Sequence, residues 1–274
     1  MIADKINSAI RILKIAEKQA AVFGEPVEIA YSGGKDSDVL LQLAKMANIN
    51  YHAYYKNTTI DPPGTIQHVK KNGVTIVKPK RTFFEIVKLK GFPSMFRRFC
   101  CAELKEYKIL NVCAIGVRAA ESVKRSKRYK TFENCRVYSN TQRVKQYFPI
   151  FDWKLQDVID FCNLYNLTLA PHYYTADGTP YYSCRLGCMG CPLRADRGKA
   201  DFLEHPALLR ALLHAGEQFI HTHPDALRFF DHNIYDAFVC NVFFRSYQSF
   251  KLATKGGFFG DVDCKTFIFE YFNL

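Results

Sequence analysis

The chain has 274 residues, of which 48% are hydrophobic and 23% charged, and it carries a net charge of +12. This length and composition fit a globular protein with a sizeable core and exclude a largely disordered chain. The sequence contains neither a membrane-spanning apolar run nor a secretory leader pattern, so we expect a cytoplasmic protein that contacts no membrane.

Helical and strand patterns alternate through the first half of the chain. Apolar spacing predicts helices over 2–21, 38–47, 83–90 and 101–108, and short apolar runs predict strands over 27–31, 51–55, 74–77 and 112–117. Strands that alternate with helices are typical of a parallel sheet with crossover connections. We therefore expect an α/β fold with a doubly wound, mostly parallel sheet and helices on both faces.

The second half of the chain differs in composition. Helices are predicted over 155–165 and 200–215, with a loop over 167–182, and 14 Phe and Tyr residues follow between Phe229 and Phe272. The segment 266–272 alternates partly, like a strand. We interpret 1–195 as a nucleotide-binding domain and 196–274 as an accessory helical and aromatic region. Its aromatic residues form a packed core, an oligomer interface or a base-stacking surface.

Positive charge is concentrated between Lys70 and Lys130. This segment holds 17 Lys or Arg and only four acidic residues, so it accounts for the whole surplus of the chain. Clustered cations attract polyanions, and we interpret the segment as a contact for a nucleic acid acceptor. The alternative is a solvated basic surface that serves solubility.

The ten cysteines are clustered rather than evenly spaced. Cys100 and Cys101 are adjacent, and Cys184, Cys188 and Cys191 fall within eight residues. In a cytosolic chain this grouping favours metal binding or redox chemistry over structural disulfides.

A phosphate-binding loop is predicted directly after the first strand. Glycines let the backbone bend and approach a ligand, and the amides at the following helix start, aided by the helix dipole, point at an anion. A lysine adds charge, two serines can donate hydroxyl hydrogen bonds, and an aspartate can hold Mg²⁺ or orient the loop. The residues are Ser32, Gly33, Gly34, Lys35, Asp36 and Ser37. The spacing is not that of a Walker A loop, and the alternative is an ordinary Gly-Gly turn.

The loop resembles the pyrophosphate loop of the adenine nucleotide α-hydrolase-like superfamily, and further segments resemble its phosphoadenosine-phosphosulfate (PAPS) reductase family. The similarity covers about residues 25–195. The segments that carry it are NTTIDPPGT at 57–65, RFCCAELK at 98–105, GVR at 116–118 with Glu121 and Ser122, PIFDW at 149–153 with Asp157 and Val158, and RLGCMGCP at 185–192.

The resemblance implies a [4Fe–4S] cluster held by four thiolates beside the nucleotide, which assigns Cys100, Cys101, Cys188 and Cys191 as its ligands. Two adjacent cysteines on one cluster are strained, so Cys184 is either spare or replaces one of that pair. Zinc is the alternative metal, because four thiolates also satisfy a closed tetrahedral site. The remaining alternative is a group of buried free thiols.

The resemblance also implies that ATP, or adenylyl sulfate (APS) or PAPS, binds at the loop, with Mg²⁺ accompanying ATP. Thr59 and Gly116 are then nucleotide-binding residues. Arg118 leaves the carboxyl end of a strand, where ligands of open α/β sheets bind, and its guanidinium suits a phosphate or sulfate. Lys105 neutralises the cluster or reaches the same anion. The expected catalytic residues are Lys35, Asp36, Arg118 and Lys105.

The sequence departs from the family at its end. True APS and PAPS reductases use a C-terminal Glu-Cys-Gly-x-His segment, whereas the last cysteine here, Cys264, is flanked by Asp261 and Asp263, whose charge weakens it as a nucleophile. We therefore expect an ATP pyrophosphatase that acts at the α-phosphate in sulfur transfer to a nucleic-acid-like acceptor. A sulfur donor protein and a second copy of the chain are further expected partners.

The sequence is also compatible with two other functions. One is an APS or PAPS reductase that releases sulfite. The other is a nucleic-acid-binding module with a degenerate nucleotide site, against which the intact loop sequence argues.

Overall fold

The computed structural model describes residues 1–121, 127, 131–138, 142–255 and 261–274, with the side chain of Phe229 left out. Within them the chain forms two compact units that are discontinuous in sequence. The first unit comprises Met1–Asn57, Asp61–Pro79 and Leu104–Leu186. The second comprises Thr58–Ile60, Lys80–Glu103 and Gly187–Leu274.

The first unit is built on a six-stranded sheet of the order β3-β2-β1-β4-β6-β5. Four neighbouring pairs are parallel, and only β5 and β6 run antiparallel. The strands are β1 (Val27–Tyr31), β2 (Tyr51–Lys56), β3 (Thr75–Val77), β4 (Val112–Ile115), β5 (Glu133–Val137) and β6 (Arg143–Tyr147). The mostly parallel α/β sheet expected from the sequence is confirmed.

Four α-helices accompany this sheet in the described part of the first unit: α1 (Ile2–Ala21), α2 (Lys35–Ala47), α3 (Thr65–Lys71) and α6 (Leu155–Leu164). Helices α1, α2 and α6 contact one another, and α1 and α2 also contact β1. Their apolar side chains form the core with one face of the strands, where Leu13, Ile29 and Leu43 are fully buried. The buried stripe of α1 follows the helical period, which is why its sequence predicted it well.

The strand pairing places the carboxyl ends of β1 and β4 side by side. Glu28, Ile29 and Ala30 of β1 pair with Cys113, Ala114 and Ile115 of β4. Both strands are buried and apolar apart from Glu28 in β1, as parallel strands covered by helices usually are. The loops that follow them therefore meet at one edge of the sheet, where open α/β sheets bind ligands.

Several boundaries differ from the sequence prediction. Helix α2 begins at Lys35, three residues earlier than expected, so half of the Gly-rich motif is already helical. Strand β4 ends at Ile115, not at 117, and α5 spans Phe99–Leu104 in place of 101–108. Strands β5 and β6 and helix α3 were not predicted. The strands show little apolar alternation, and α3 has only seven residues, about two helical turns.

The second unit is helical in the residues described. It contains α4 (Phe83–Lys90), α5, α7 (Lys199–Glu204), α8 (Pro206–Thr222), α9 (Ile234–Phe243), α10 (Tyr247–Thr254) and α11 (Cys264–Tyr271). The helix predicted over 200–215 is divided before Pro206, which lacks the amide that would continue α7. The strand suggested for 266–272 was wrong, since α11 covers it with Asp263 as its N-cap.

The aromatic residues of the tail form a packed core. The rings of Phe202, Phe238 and Phe272 lie 5.6–6.2 Å apart in tilted or edge-to-face pairs, and all three are buried. Burial of such rings supplies most of the apolar area that holds short helices together. The apolar residues of 266–272 therefore contribute to this core from a helix, in which Ile268 is buried and Phe269 is partly exposed.

No helix in the part of the chain that the structure covers is both long and apolar enough to cross a membrane.

Candidate nucleotide-binding site

The loop between β1 and α2 has the geometry of an anion cradle. Gly33 adopts a φ of +76°, which places the backbone in the left-handed region and turns the chain toward the helix. Gly34 is the N-cap of α2, and its carbonyl accepts from the amides of Ser37 at 2.8 Å and Asp38 at 3.0 Å. The first amides of a helix have no partner within it, so this turn presents donors to a ligand.

Close contact with the end of β4 fixes the first turn of α2. A Cβ placed on Gly116 would lie 2.8 Å from the carbonyl oxygen of Asp36, so no side chain fits there. Gly116 was assigned to nucleotide binding from the family resemblance. The structure gives it a packing role at the same place, where it lets the backbone of β4 touch α2.

Three charged side chains at this turn are paired with one another. The Nε of Arg118 donates to Oδ1 of Asp36 at 2.6 Å, and the Nζ of Lys35 lies 3.7 Å from Oδ2 of the same carboxylate. Lys35 and Arg118 are buried, with 3% and 5% of their surface exposed. Asp36 thus holds two cations at the loop, which supports its orienting role over that of a metal ligand.

The two serines of the loop hydrogen-bond within it. Ser37 Oγ donates to the carbonyl of Gly34 at 2.6 Å, and Ser32 Oγ donates to Ser37 Oγ at 3.3 Å. Tyr173, which sequence reasoning missed, closes one side. Its buried hydroxyl accepts from the amides of Lys35 and Leu186, and its ring centroid lies 5.3 Å from the Lys35 ammonium.

The loop opens into a cavity of about 350 Å³ in the first unit. Lys105 and Arg185 line it together with the loop. The cavity also reaches the polar face of the sheet, where Glu28 and Lys56 form an ion pair at 3.7 Å. Burial raises the pKa of Glu28, although Lys56 acts in the opposite direction. A carboxylate inside the apolar run VEIAY was the signal that could have revealed this pair.

A second polar network lies beneath the loop. Asp38 accepts from the hydroxyl of Tyr31 and lies 2.9 Å from Nε2 of His68, and all three side chains are buried. Asn72 donates to the Tyr31 hydroxyl at 3.1 Å. Burial raises the pKa of Asp38, and the bond to His68 opposes that rise. This network joins β1, α2 and α3, so it braces the loop, and Tyr31 also lines the cavity.

Thr59 belongs to the second unit and is engaged in helix capping. Its hydroxyl accepts from the amide of Phe83 at the start of α4, at 2.8 Å. Of the family-like segment GVR at 116–118 with Glu121 and Ser122, Ser122 lies outside the described residues. The same holds for the basic positions Lys124, Arg125, Arg128 and Lys130.

The four cysteines assigned to the cluster all belong to the second unit. The pKa of the Cys100 thiol is raised, first by its hydrogen bond with Cys101, then by burial and by the neighbouring thiols of Cys101 and Cys188. Cys188 Sγ lies 3.5 Å from the hydroxyl of Thr58. The sulfur atoms of Cys101 and Cys188 therefore lie near that of Cys100.

Cys184 belongs to the first unit, close to the phosphate loop. Its carbonyl accepts from the Lys35 ammonium at 3.3 Å, and its thiol lies 3.2 Å from the His172 carbonyl and 3.3 Å from that of Tyr181. Burial raises the pKa of Cys184, and Lys35 lowers it.

Metal sites are not preassembled in the described ranges. No three His, Cys, Asp or Glu side chains there are arranged to hold a metal ion. The thiols fit an iron–sulfur cluster in their chemistry. In this structure Cys100 and Cys101 share a hydrogen bond, and Cys188 hydrogen-bonds to Thr58. The carboxylate of Asp36 is engaged by Arg118, so the residues present do not form a protein cage for Mg²⁺.

The fold and this loop together define an α/β nucleotide-binding protein. Residues 26–194, more than half of the chain, match the family model of the phosphoadenosine phosphosulfate reductase domain. The chain belongs to this family.

Individual relatives are more distant. The uncharacterized protein MJ0973 of Methanocaldococcus jannaschii is 28% identical over 221 residues, which is 74% of this chain. The chain spans about half the length of that relative, 51%. Among solved structures, PAPS reductase from Candida auris in complex with phosphate shows 18% identity and a TM-score of 0.42, over 65% of this chain and 90% of that one. Candida glabrata FMN adenylyltransferase shows 14% identity and a TM-score of 0.47, over 69% and 62%.

The contact at Gly116 can be tested by adding one methyl group. Gly116→Ala forces a carbon against the Asp36 carbonyl, and we expect it to destabilise the protein by about 1–3 kcal/mol and to weaken nucleotide binding. Thermal melts and calorimetric titration with ATP measure both effects. Gly187→Ala is the control, because its added Cβ meets nothing within 4 Å. If Gly116→Ala and Gly187→Ala have the same melting temperature and the same affinity for ATP, the close contact at Gly116 is contradicted.

The buried Glu28 makes stability depend on pH. Its pKa is raised above 4.5 in the folded state, so above pH 4.5 the folded protein retains a proton that the unfolded chain loses. Its contribution is therefore full below pH 4.5 and falls as the pH rises through the raised value. We expect Glu28→Gln to remove this falling slope, as measured by urea unfolding followed through Trp153, the single and buried tryptophan.

Glu133→Gln on β5 is the matched control, since Glu133 is exposed. The wild type and Glu133→Gln should share one slope. A Glu28→Gln profile parallel to theirs would show that burial does not perturb this carboxyl group.

Proposed function

We propose that the protein binds ATP, with Mg²⁺, at Ser32–Ser37 and cleaves the bond between the α- and β-phosphates. The adenylyl group is transferred to an acceptor and pyrophosphate is released. The acceptor is a nucleic acid that receives sulfur in a later step, with the sulfur supplied by a donor protein. The observation that carries this proposal is the Gly-rich turn at the start of α2, with Lys35, Asp36 and Arg118 gathered on it.

Each of these side chains has a task that follows from its position. The backbone amides of the turn bind phosphate oxygens, and the helix dipole adds to their field. Lys35 and Arg118 are already buried and held by Asp36, so they stabilise charge that develops on the phosphates with little reorganisation. Lys105 and Arg185 line the same cavity and supply further positive charge. Mg²⁺, which accompanies ATP, neutralises part of the phosphate charge when it is bound.

Reduction of APS or PAPS through the last cysteine receives no support from the environment of that residue. Cys264 is buried, at the first position of α11, and lies against Asp236. Burial and the Asp236 carboxylate raise the pKa of Cys264 to about 12, which keeps the thiol protonated at neutral pH. A reductase nucleophile needs an accessible thiolate. We therefore favour adenylyl transfer over sulfite release.

We further propose that Cys100, Cys101, Cys188 and Cys191 hold a [4Fe–4S] cluster. Their thiols supply the ligands that such clusters require, and the effect of Cys101 and Cys188 on the Cys100 thiol supports their grouping. When bound, the cluster supplies a centre that accepts or carries sulfur. The nucleotide chemistry described above does not pass through it.

The cluster proposal is tested on anaerobically prepared protein. We expect about four iron and four sulfide per chain with a broad visible absorbance, all lost in Cys188→Ser and kept in Cys135→Ser, whose cysteine is exposed on β5. Cys184→Ser should also keep its iron. Loss of iron in Cys184→Ser would give that residue a ligand role, and colourless protein containing zinc would overturn the cluster.

The nucleotide proposal is tested by pyrophosphate release from ATP. Lys35→Ala should lower the rate about a hundredfold or more, because a buried cation at the phosphates is removed. Lys45→Ala is the matched control, since Lys45 lies exposed in the last turn of the same helix. It should release pyrophosphate at the wild-type rate.

The assay needs the acceptor class as well as ATP, so it is run with and without total tRNA and single-stranded DNA. Absence of pyrophosphate and of any adenylylated product in every mixture would refute adenylyl transfer. Rapid sulfite release from APS or PAPS with thioredoxin as reductant would establish the reductase in its place.

A further inference from the structure

An exposed aromatic residue stands among arginines in the second unit. The segment from Met95 to Arg98 follows α4 and precedes α5, and all four of its residues are exposed. Phe96 is 88% exposed, more than any other large hydrophobic residue in the described chain apart from the terminal methionine, and Met95 is 49% exposed. A phenylalanine this exposed gains little from burial within the chain, and its ring is accessible to a ligand.

The base of this segment is firmly anchored. The ring of Phe92 packs directly on Gly216 of α8, and its centroid lies 5.9 Å from that of Phe238. A Cβ on Gly91 would lie 2.9 Å from the ring of Phe219, so the chain passes close to α8 there as well. The residues just before Met95–Arg98 are therefore packed against α8.

Hydrogen bonds hold the turn that displays Phe96. The buried Ser94 accepts through its hydroxyl from the amides of Phe96 at 3.3 Å and Arg97 at 3.1 Å, and its own amide donates to the Arg97 carbonyl at 3.2 Å. Arg97 Nη2 donates to the carbonyl of Lys90 at 2.7 Å. Phe96 is thus presented by an ordered turn, and little conformational entropy remains to be lost when a partner binds.

The surroundings of Phe96 are cationic. The stretch Lys80–Glu103 of the second unit contains six basic residues and two acidic ones. Arg97 and Arg98 directly follow the exposed ring, and Lys90, which forms an ion pair with Glu103, precedes the turn. An apolar protein partner would favour a larger apolar surface with fewer charges. A flat ring among cations fits a ligand that is both aromatic and anionic.

We propose that the turn Met95–Arg98 binds single-stranded nucleic acid. A base stacks on Phe96, and the neighbouring phosphates contact Arg97 and Arg98. Stacking needs an unpaired base, which selects a single strand over a duplex, and it tolerates any base because every base has a π-face. This inference rests on the proposed function, in which a nucleic acid is the acceptor, and it names the element that holds that acceptor.

The test is fluorescence anisotropy with labelled oligonucleotides of about 16 residues, without ATP, across a salt titration. The probes are oligo(U) RNA, oligo(dT) DNA and a mixed-sequence duplex. We expect both single strands to bind more tightly than the duplex, and Phe96→Ala to weaken single-strand binding about tenfold. Phe96→Trp should restore it. Phe269→Ala is the control, because Phe269 is also partly exposed in the second unit but lies on α11.

Arg97→Ala tests the phosphate contact separately. It should weaken all single strands alike and reduce the slope of log affinity against log salt by about 0.7. Preference for RNA over DNA, or the reverse, identifies which single strand the turn serves. Circular dichroism melts show whether each variant is folded.

Equal binding by the wild type and a folded Phe96→Ala variant, or no single-strand binding at low salt, would overturn the proposal. Loss of self-association in Phe96→Ala without any oligonucleotide binding would instead assign the turn to a second copy of the chain and would also overturn it. Pyrophosphate release by a protein that binds no oligonucleotide would refute this inference alone. Oligonucleotide binding without adenylyl transfer would refute the proposed function alone.

Discussion

The buried ion pair between Asp36 and Arg118 is the interaction on which the arrangement of the site depends. It joins the first turn of α2 to the residues after β4, at the place where Gly116 lets the two backbones touch. Removing one partner of a buried pair leaves the other charge unsatisfied, which is costly. The pair therefore keeps the loop in one conformation and holds a guanidinium beside it before any nucleotide arrives.

The buried carboxylates of the first unit are paired with other side chains. Glu28 is neutralised by Lys56 and receives a backbone hydrogen bond from Leu110, whereas Asp38 is held by His68 and Tyr31. Carboxylates near an anion site would repel phosphate unless each were paired. Because they are paired, the amides of the turn and the cationic side chains dominate the field at the loop.

Local patterns predicted the parts of the structure that depend on local chemistry. The apolar run 27–31 and the Gly-rich motif predicted β1 and the turn. The four cysteines assigned to the cluster lie in one unit, whereas Cys184 lies in the other. The pairs Glu28–Lys56 and Asp38–His68 join residues 28 to 30 positions apart, so no local period reveals them. In the tail a local pattern was misleading, because the partial alternation at 266–272 resembled a strand. The segment forms helix α11, followed by Phe272, which packs on Phe202 and Phe238.

The most direct test of adenylate binding at this turn is a crystal structure of the protein with the nonhydrolysable analogue α,β-methylene-ATP. We expect its α- and β-phosphate groups within hydrogen-bond distance of backbone amides between Gly33 and Ser37, with the Lys35 ammonium on the same oxygens. An analogue bound elsewhere, or phosphate groups that contact none of these amides, would contradict the proposal.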